Sequence, residues 1–407
     1  MSEIKGVYLD NNATTKTDPL VYEAMIPFFT EFYGNPSSMH SFGNPVRKAL
    51  EKARHQIAAF IGAKYDDEII FTSCATESDN TAILSALEAC ANNGRNEIIT
   101  STVEHPAILD TCARLEKKGY KVHYIGVSSN GRIDMEQYKS CLSDKTAIVS
   151  IMWANNETGT IFPIEKLASL AKKAGAQFHT DGVQAIGKIE VDVKSTEIDM
   201  LSFSGHKIHA PKGVGVLYVR RGTRYRPFMH GGHQERGRRA GTENAPYIVG
   251  LGVACELSGL HLNQMNTSVR ELRDRLQDGI LSKVPNCFVT GDVENRTPNT
   301  LNIAFEFVEG EAILLKLNEC GIAASSGSAC TSGSLEPSHV MRAMKIPFTS
   351  AHGTVRFSLS RFTTEEEIDK VIEVVPKIIE ELRSYSPYWK QGKVDLGAFD
   401  PDYKGSL

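Results

Sequence analysis

Runs of β-branched and aromatic residues alternate, in the first half of the chain, with stretches in which apolar residues recur every three or four positions. The runs predict seven strands, at Glu68–Thr72, Glu97–Thr102, Lys121–Ile125, Ala147–Trp153, Gln177–Thr180, Met200–Phe203 and Gly215–Val219. The apolar spacing predicts helices between several of them, for example at Thr81–Ala91 and Ile164–Ala174. Such alternation is typical of βαβ units. We therefore expect an α/β fold whose large domain contains a mostly parallel, seven-stranded sheet.

The pattern changes near Cys255. A long helix follows, then two strands near Cys287–Thr290 and Leu301–Phe305, and then a helix, a strand and a helix. This order predicts a smaller α+β domain, which we expect the N-terminal segment to join. The predicted units are a large domain over 15–255, a small domain made of 1–14 and 256–387, and an extended tail over 388–407.

Composition and charge narrow the class of protein. The 407 residues are 41% hydrophobic and 23% charged, as in ordinary globular proteins. A net charge of -4 gives no general attraction for nucleic acid or an anionic membrane, and neither a signal peptide nor an apolar run of about 18 residues is present. We expect a cytoplasmic protein without a nucleic-acid or membrane partner. The eight cysteines contain no CxxC pair, so free thiols are expected.

Polar side chains follow most of the predicted strands. They are Thr76 and Glu77, then His105, then Asn155, Asn156 and Glu157, then Asp181 and Gln184, and finally Ser204, His206 and Lys207. An isolated polar residue after a strand is more often a cap or a turn residue. Because the carboxyl ends of parallel strands share one edge of a sheet, this set together indicates a ligand site at that edge.

At two of these strand ends the sequence indicates a chemical function as well as a possible turn. Lys207 directly follows an apolar strand, where partial desolvation favours a nucleophilic amine, although most lysines are simply solvated surface residues. Ser73–Glu77 leads from a strand into a helix, whose first amides bind phosphate; the alternative is a capping box with Thr76 as the cap and Asp79 three residues later. A phosphate site, an acid, an amide, an imidazole and a lysine together match the needs of pyridoxal phosphate.

Several motifs carry a resemblance to a known family. Ser204–Lys207, His179–Gln184 and Asn155–Gly159 resemble the cofactor motifs of cysteine desulfurases, which are fold type I pyridoxal-phosphate enzymes of the class V aminotransferase family. Tyr8–Thr15 and Gly34–Ser38 are similar to the same family, so the resemblance spans nearly the whole chain.

The resemblance implies roles for the residues at the strand ends. Lys207 is expected to carry the cofactor and to move the α-proton, and Asp181 to pair with the pyridine nitrogen. Gln184 is expected to hydrogen-bond the phenolic oxygen of the ring. His105 is expected to stack on the ring and assist proton transfer, with Asn156 on the same face.

The resemblance also implies a phosphate site and a dimer. The expected phosphate ligands are Thr76, Ser204, His206, the backbone of Ala75, and Thr242 from the neighbouring subunit, which implies an obligate homodimer. Arg236, Arg238 and Arg239 lie near Thr242, and in an acidic protein without interleaved aromatic residues they favour a subunit contact over nucleic-acid binding. His206 and His209 lack a third ligand at suitable spacing, so no dedicated metal site is expected.

One cysteine differs from the other seven in its surroundings. Cys330 lies in Ala323–Ser334, a run of small residues that predicts an exposed loop; an incidental surface cysteine is the alternative. By the resemblance, Cys330 receives sulfur as a persulfide and is a transient iron-sulfur ligand through it. Either His105 or the bound intermediate accepts the thiol proton, a choice that the sequence leaves open.

The resemblance further implies the reaction and its partners. Arg356, Asn35 and Asn156 are expected to bind L-cysteine, which is converted to L-alanine while its sulfur goes to Cys330. Gly333 and the segment Gly231–Arg239 are closest to the nitrogen-fixation (NifS) type, which implies a NifU-type scaffold as sulfur acceptor and a role in nitrogenase maturation. The alternatives are an aminotransferase or selenocysteine lyase on the same fold, and a non-catalytic sulfur-trafficking protein.

Overall fold

The fold is that of a computed structural model, which describes residues 6–326, 336–390 and 393–394. The strands in these ranges are β1 (Val7–Tyr8), β2 (Ile69–Thr72), β3 (Glu97–Ser101), β4 (Lys121–Ile125), β5 (Thr146–Ser150), β6 (Gln177–Asp181), β7 (Met200–Ser204), β8 (Gly215–Val219), β9 (Cys287–Val289), β10 (Thr300–Phe305), β11 (Ile322–Ala323), β12 (Thr354–Ser358), β13 (Trp389–Lys390) and β14 (Lys393–Val394).

The helices in the same ranges are α1 (Pro19–Met25), α2 (Pro27–Thr30), α3 (Gly43–Phe60), α4 (Ala75–Ala89), α5 (Pro106–Glu116), α6 (Met135–Cys141), α7 (Ile164–Lys173), α8 (Ala245–Leu260), α9 (Leu262–Gln264), α10 (Arg270–Leu281), α11 (Gly310–Glu319), α12 (His339–Ala343), α13 (Phe348–Ala351) and α14 (Glu365–Ser384). A π-helical turn, Met265–Val269, joins α9 to α10.

Seven of the described strands form the main sheet, in the order β2-β8-β7-β6-β5-β3-β4. All neighbouring pairs are parallel except those of β8, which is antiparallel to both β2 and β7. The seven strands predicted from the sequence are confirmed, as is the mostly parallel sheet. Because parallel neighbours need crossover connections, helices such as α4, α5 and α7 lie between consecutive strands.

One local prediction is wrong. Helix α4 begins at Ala75 rather than Thr81, and Cys74, in extended conformation, is its N-cap residue. Thr76 therefore lies in the first turn and is not the cap that the capping-box alternative required. Glu77 fulfils part of that function instead, because its Oε2 accepts a hydrogen bond from the backbone amide of Ser73 at 2.7 Å.

The two faces of the sheet pack in separate hydrophobic clusters. Ile70 and Ile98 point to the face covered by α4 and α5, whereas Ile69 and Ile99 point to the face covered by α3, α7 and α8. Successive side chains of a strand alternate between faces, so a sheet covered on both sides needs nearly continuous apolar strands. This explains why most residues of the predicted strands are apolar. The polar residues within them, such as Thr100 and His179, are buried, and further polar residues follow where the strands end.

A third cluster lies in the C-terminal half. The antiparallel strands β9, β10 and β12 pack against α10, α11 and α14, and Val7 and Leu9 of the N-terminal segment join them. Strand β1 pairs in parallel with β11. Cys255 lies within α8 and belongs to the large cluster, and the domain boundaries drawn from the sequence stay a prediction.

Within the described residues, no single helix is long and apolar enough to cross a membrane; the pair Ala245–Leu260 and Leu262–Leu281 meets the length and composition criteria only together and is bent by 54°.

Candidate active site

A cavity of about 290 Å³ opens at the carboxyl ends of the main-sheet strands. Ten of the residues predicted from the sequence line it, namely Ala75, Thr76, His105, Asn156, Asp181, Gln184, Ser204, His206, Lys207 and Arg356. The strand-end residues come together because the strands are parallel and in register. Arg356 reaches the same cavity from β12, in the C-terminal half of the chain.

Lys207 closes a short 3₁₀ turn, Gly205–Lys207, that directly follows β7. Its Nζ donates hydrogen bonds to the backbone carbonyls of Asn12 at 2.5 Å and Ala13 at 2.7 Å. The N-terminal segment thus supplies part of the floor of the cavity. These two contacts hold the amine of Lys207 at the cavity.

Asp181 is the last residue of β6 and is 6% exposed. Burial raises the pKa of its carboxyl, and the nearby charges of His105 and Lys207 oppose that rise. Its Oδ1 accepts one hydrogen bond, from the backbone amide of Val183 at 2.9 Å. A buried carboxyl with a single backbone donor is stabilised as a carboxylate by a cationic N–H in the cavity.

His105 is the N-cap residue of α5 and lines the cavity. Its Nδ1 accepts a hydrogen bond from the backbone amide of Ala107 at 3.1 Å, and burial lowers the pKa of the ring. Both facts favour the neutral tautomer with its proton on Nε2. In this state Nε2 is a hydrogen-bond donor, and the ring takes up a proton only if Nδ1 gives up the helix cap.

The start of α4 and the end of β7 form a polar corner of the cavity. Ala75 is the first residue of this 15-residue helix, and the buried Oγ of Ser204 has no hydrogen-bond partner within the described residues. Burial lowers the pKa of His206 to about 4, so its ring is neutral at pH 7, and its Nδ1 lies 3.2 Å from Oγ1 of Thr14. Helix amides, a hydroxyl and a neutral imidazole suit an anionic phosphate.

Arg356 is 2% exposed and lies on β12, which pairs with β10 in the C-terminal sheet. Its Nη2 donates to Oδ1 of Asp10 at 2.7 Å and its Nη1 to the backbone carbonyl of Asn156 at 3.0 Å. Its buried Nε has no hydrogen-bond partner among the described residues. Arg356 lines the cavity, and a planar guanidinium is suited to a carboxylate ligand.

Three further residues line the cavity, Asp79, Glu157 and His339. Glu157 belongs to the strand-end set predicted from the sequence, whereas the sequence predicted no ligand role for Asp79 or His339. Oε2 of Glu157 accepts a hydrogen bond from Ser338 Oγ at 2.6 Å, and the ring of His339 lies 2.9 Å, through Nε2, from the backbone carbonyl of Glu104. These contacts attach the chain after residue 336 to the large sheet. The Asn155–Gly159 motif indicated Glu157, but no local pattern indicated His339.

A second buried acid, Glu104, immediately precedes His105 in the sequence. Glu104 is fully buried, and burial raises its pKa to about 8. Its carboxyl accepts hydrogen bonds from Ser101 Oγ at 2.6 Å and from the backbone amide of Met152 at 3.1 and 3.0 Å. These bonds tie the turn that precedes α5 to the end of β5, and so fix the position of the neighbouring imidazole.

Three predicted residues are not part of the described cavity lining. Asn35 is exposed, and its Oδ1 accepts a hydrogen bond from the Ser37 amide at 2.9 Å. Thr242 is exposed as well, and its predicted role needs a second subunit. Cys330 lies outside the described residues. Arg239, expected at a subunit contact, pairs within the chain with Glu77, with Nε 2.8 Å from Oε1.

Comparison with known proteins agrees with this geometry. Residues 7–371 match the family described as aminotransferase class-V. The chain is 64% identical over 400 residues to the "Cysteine desulfurase NifS" of Azotobacter vinelandii, covering 98% of this chain and 99% of that protein. It is 62% identical over 401 residues to the "Cysteine desulfurase" of Gluconacetobacter diazotrophicus, covering 98% and 100%.

Among solved structures, one titled "NIFS-LIKE PROTEIN" superimposes with a TM-score of 0.87 and 39% identity, over 93% of this chain and 100% of that chain. A second, the NifS-like protein from Rickettsia africae, superimposes with a TM-score of 0.82 and 31% identity, over 92% and 100%.

Proposed function

Because this chain belongs to the aminotransferase class-V family, we propose that it is a cysteine desulfurase that converts L-cysteine to L-alanine and passes the sulfur to Cys330. The family and the fold type I architecture predicted from the sequence motifs are confirmed. Enzymes of this family use pyridoxal phosphate. One observation carries the proposal: the amine of Lys207, the acid of Asp181 and the guanidinium of Arg356 line one cavity.

The residues of the cavity fit pyridoxal phosphate. The unpartnered Ser204 Oγ and the first amides of α4 suit its phosphate, and the carboxyl of Asp181, with one backbone donor, suits a protonated ring nitrogen. Lys207 is the amine that would hold it covalently. When bound, pyridoxal phosphate acts as an electron sink for the carbon that loses a proton. The protein would hold that ring at Lys207 and Asp181 and orient the substrate carboxylate at Arg356.

The sulfur step is proposed for Cys330. Its thiolate attacks the sulfur of the bound cysteine; an S–S bond forms as the Cβ–S bond breaks, and the carbon fragment leaves as L-alanine after it takes up protons. The hydrogen bonding of His105 limits its role in removing the thiol proton of Cys330. Its ring is neutral, with Nδ1 occupied by the Ala107 amide and the proton on Nε2, so Nε2 donates a hydrogen bond and cannot accept a proton. This favours the bound substrate over His105 as the acceptor of the thiol proton.

Four proteins separate this function from its alternatives: the wild type, Lys207→Ala, Cys330→Ala and, as a matched control, Cys320→Ala, which alters an exposed cysteine outside the cavity lining. Sulfide and alanine are measured from L-cysteine with a thiol reductant. We expect Lys207→Ala to lose both products and the visible absorption of the cofactor, and Cys330→Ala to lose both products but keep that absorption. Cys320→Ala should match the wild type.

The outcomes are distinct. Desulfuration retained by Cys330→Ala would exclude the persulfide step and favour a lyase on the same fold. A wild type without visible absorption after reconstitution with pyridoxal phosphate would exclude the cofactor, and with it the proposed reaction.

We also propose a homodimer. A set of large apolar side chains near the N-terminus is exposed, with Met39 at 95%, and comprises Leu20, Tyr22, Ile26, Phe29, Phe32, Tyr33, Met39 and Phe42. Exposed apolar surface of this extent is typical of an interface, and a second copy of the chain would cover it while bringing Thr242 to the phosphate. Sedimentation measures the mass; a monomer at micromolar concentration that binds the cofactor fully would contradict the proposal.

The last part of the proposal concerns the protein that accepts the sulfur and the process that the sulfur serves. We propose that the sulfur goes to a NifU-type scaffold for nitrogenase clusters, supported by the identity to the Azotobacter relative named NifS. The seven cysteines within the described residues are free thiols, which supports a cytoplasmic, reducing compartment. Deletion of the gene should slow growth on dinitrogen but not on ammonium; equal growth on both would contradict this role.

A further inference from the structure

Lys188 is a buried lysine that the reaction described above does not use. It lies in the turn after β6 and is 5% exposed. Its Nζ donates to Oδ1 of Asn12 at 3.1 Å and, over a shorter distance, to Oε1 of Gln184. Burial lowers the pKa of its amine, and the nearby cations Lys207 and Arg356 lower it further. Both of these hydrogen-bond partners are side-chain amide oxygens.

These contacts fix the orientation of the Gln184 side chain. A lysine amine donates hydrogen bonds, and two carbonyl oxygens take two of its N–H groups in either protonation state. If the carboxamide were turned over, its Nε2 would face the amine and two buried donors would be left opposed. With Oε1 held by Lys188, Nε2 is directed the other way, where it donates to the backbone carbonyl of Asn12 at 3.0 Å.

Asn12 provides a rigid support for this pair. Its Oδ1 also accepts from Nδ2 of Asn299 at 3.0 Å, and its own Nδ2 donates to Oγ1 of Thr300 at 2.8 Å. Its backbone carbonyl accepts from both Gln184 and Lys207. When Lys207 turns toward a ligand, this carbonyl loses one donor, but the amide of Gln184 keeps its orientation because Lys188 holds the oxygen end.

We propose that Lys188 is a positioning residue that sets the carboxamide of Gln184 so that its N–H is directed at the phenolic oxygen of the cofactor. The inference rests on the proposed function, since it assumes that Gln184 faces that oxygen. A hydrogen bond to a charged oxygen stabilises the anionic form and lowers the pKa of the chromophore to which the oxygen is conjugated. Loss of the oriented N–H therefore raises that pKa.

The test is a pH titration of the visible absorption of the cofactor-loaded protein. Lys188→Met keeps the length of the side chain and removes the donor, and we expect the midpoint to rise by about one pH unit, the amount that one such hydrogen bond contributes. Gln184→Ala should give the same rise. The double variant should show no further rise, because Lys188 acts through Gln184.

A matched control removes a different hydrogen bond to the turn that contains Lys188 and leaves the Lys188 amine in place. Asn266 Nδ2 donates to the backbone carbonyl of Lys188 at 3.0 Å, so Asn266→Ala should titrate as the wild type does. The proposal is overturned if Lys188→Met titrates as the wild type, or if the two single shifts add in the double variant, which would indicate a simple effect of charge. Absence of any cofactor absorption in the wild type would instead refute the proposed function.

A crystal structure of the loaded wild-type protein provides a second measurement that does not depend on how the variants fold. We expect Lys188 Nζ within hydrogen-bond distance of Gln184 Oε1 and Gln184 Nε2 on the side of the phenolic oxygen. A separation of more than 4 Å between Nζ and Oε1 overturns the proposal.

Discussion

Arg356→Lys changes the side chain that we assign to the substrate carboxylate while keeping its charge. In the structure, Arg356 lines the cavity, uses Nη2 for Asp10 and Nη1 for the Asn156 carbonyl, and has a buried Nε without a hydrogen-bond partner among the described residues. A lysine ammonium placed there can satisfy Asp10, but it loses the planar pair of N–H groups that a carboxylate engages. The charge–charge attraction remains, so the variant isolates the geometry.

The magnitude follows from the hydrogen bonds that are lost. A hydrogen bond to a charged acceptor contributes about 1.5 to 3 kcal/mol, and about 1.4 kcal/mol corresponds to a factor of ten in a rate or equilibrium constant. We expect kcat/KM for L-cysteine to fall between about 10-fold and 100-fold, mainly through a higher KM, with the cofactor absorption unchanged. Initial rates of alanine formation over a range of L-cysteine concentrations measure both constants.

Arg361→Lys is the matched control. Arg361 forms a buried ion pair with Asp18 but does not line the cavity, so its replacement perturbs the same half of the protein without touching the substrate. We expect its KM to stay within about twofold of the wild type. If Arg356→Lys also leaves kcat/KM within about threefold, or if the two variants behave alike, Arg356 does not bind the carboxylate.

Two further predictions concern the scaffold. A Cβ at Gly215 would lie 2.7 Å from the carbonyl carbon of Cys74, so Gly215→Ala should displace the start of α4 and weaken cofactor binding at least about tenfold by equilibrium dialysis; Gly259→Ala, with 3.6 Å to the nearest atom, is the control, and equal affinities would contradict the role of the close approach. Burial lowers the pKa of His179 from 6.5 to about 3, so the folded protein binds fewer protons than the unfolded chain between these values and loses stability as the pH falls through them. Relative to the wild type, His179→Gln should therefore gain roughly 3 kcal/mol in the free energy of unfolding between pH 7 and pH 4.5, measured by urea unfolding, because each pH unit below 6.5 contributes about 1.4 kcal/mol; a difference that does not change with pH would contradict the assignment.

The sequence by itself determined the main sheet and much of the site. Strands that are buried on both faces are mostly apolar, so the polar residues grouped after their ends indicate the edge at which ligands bind. This is why Asp181, Gln184, Ser204 and Lys207 could be grouped without a structure. Their individual roles came from the family resemblance, which the comparisons confirm at the level of family, fold and cofactor.

Other features depend on contacts between segments that are distant in the sequence. The spacing of hydrophobic residues within one segment does not indicate which distant residues it will contact. Asp10 and Arg356 are 346 residues apart in the sequence, and Asn12 and Lys207 are 195 apart, yet each pair shares a hydrogen bond. Lys188 carries no signal in a sequence where lysines are ordinarily exposed. Its contact with Gln184, four residues earlier, is local, but the side-chain oxygen of Asn12 that accepts its second hydrogen bond comes from the N-terminal segment, 176 residues away. Side-chain alternation is a property of one strand, whereas the partners of a buried polar group are decided when separate elements close around it.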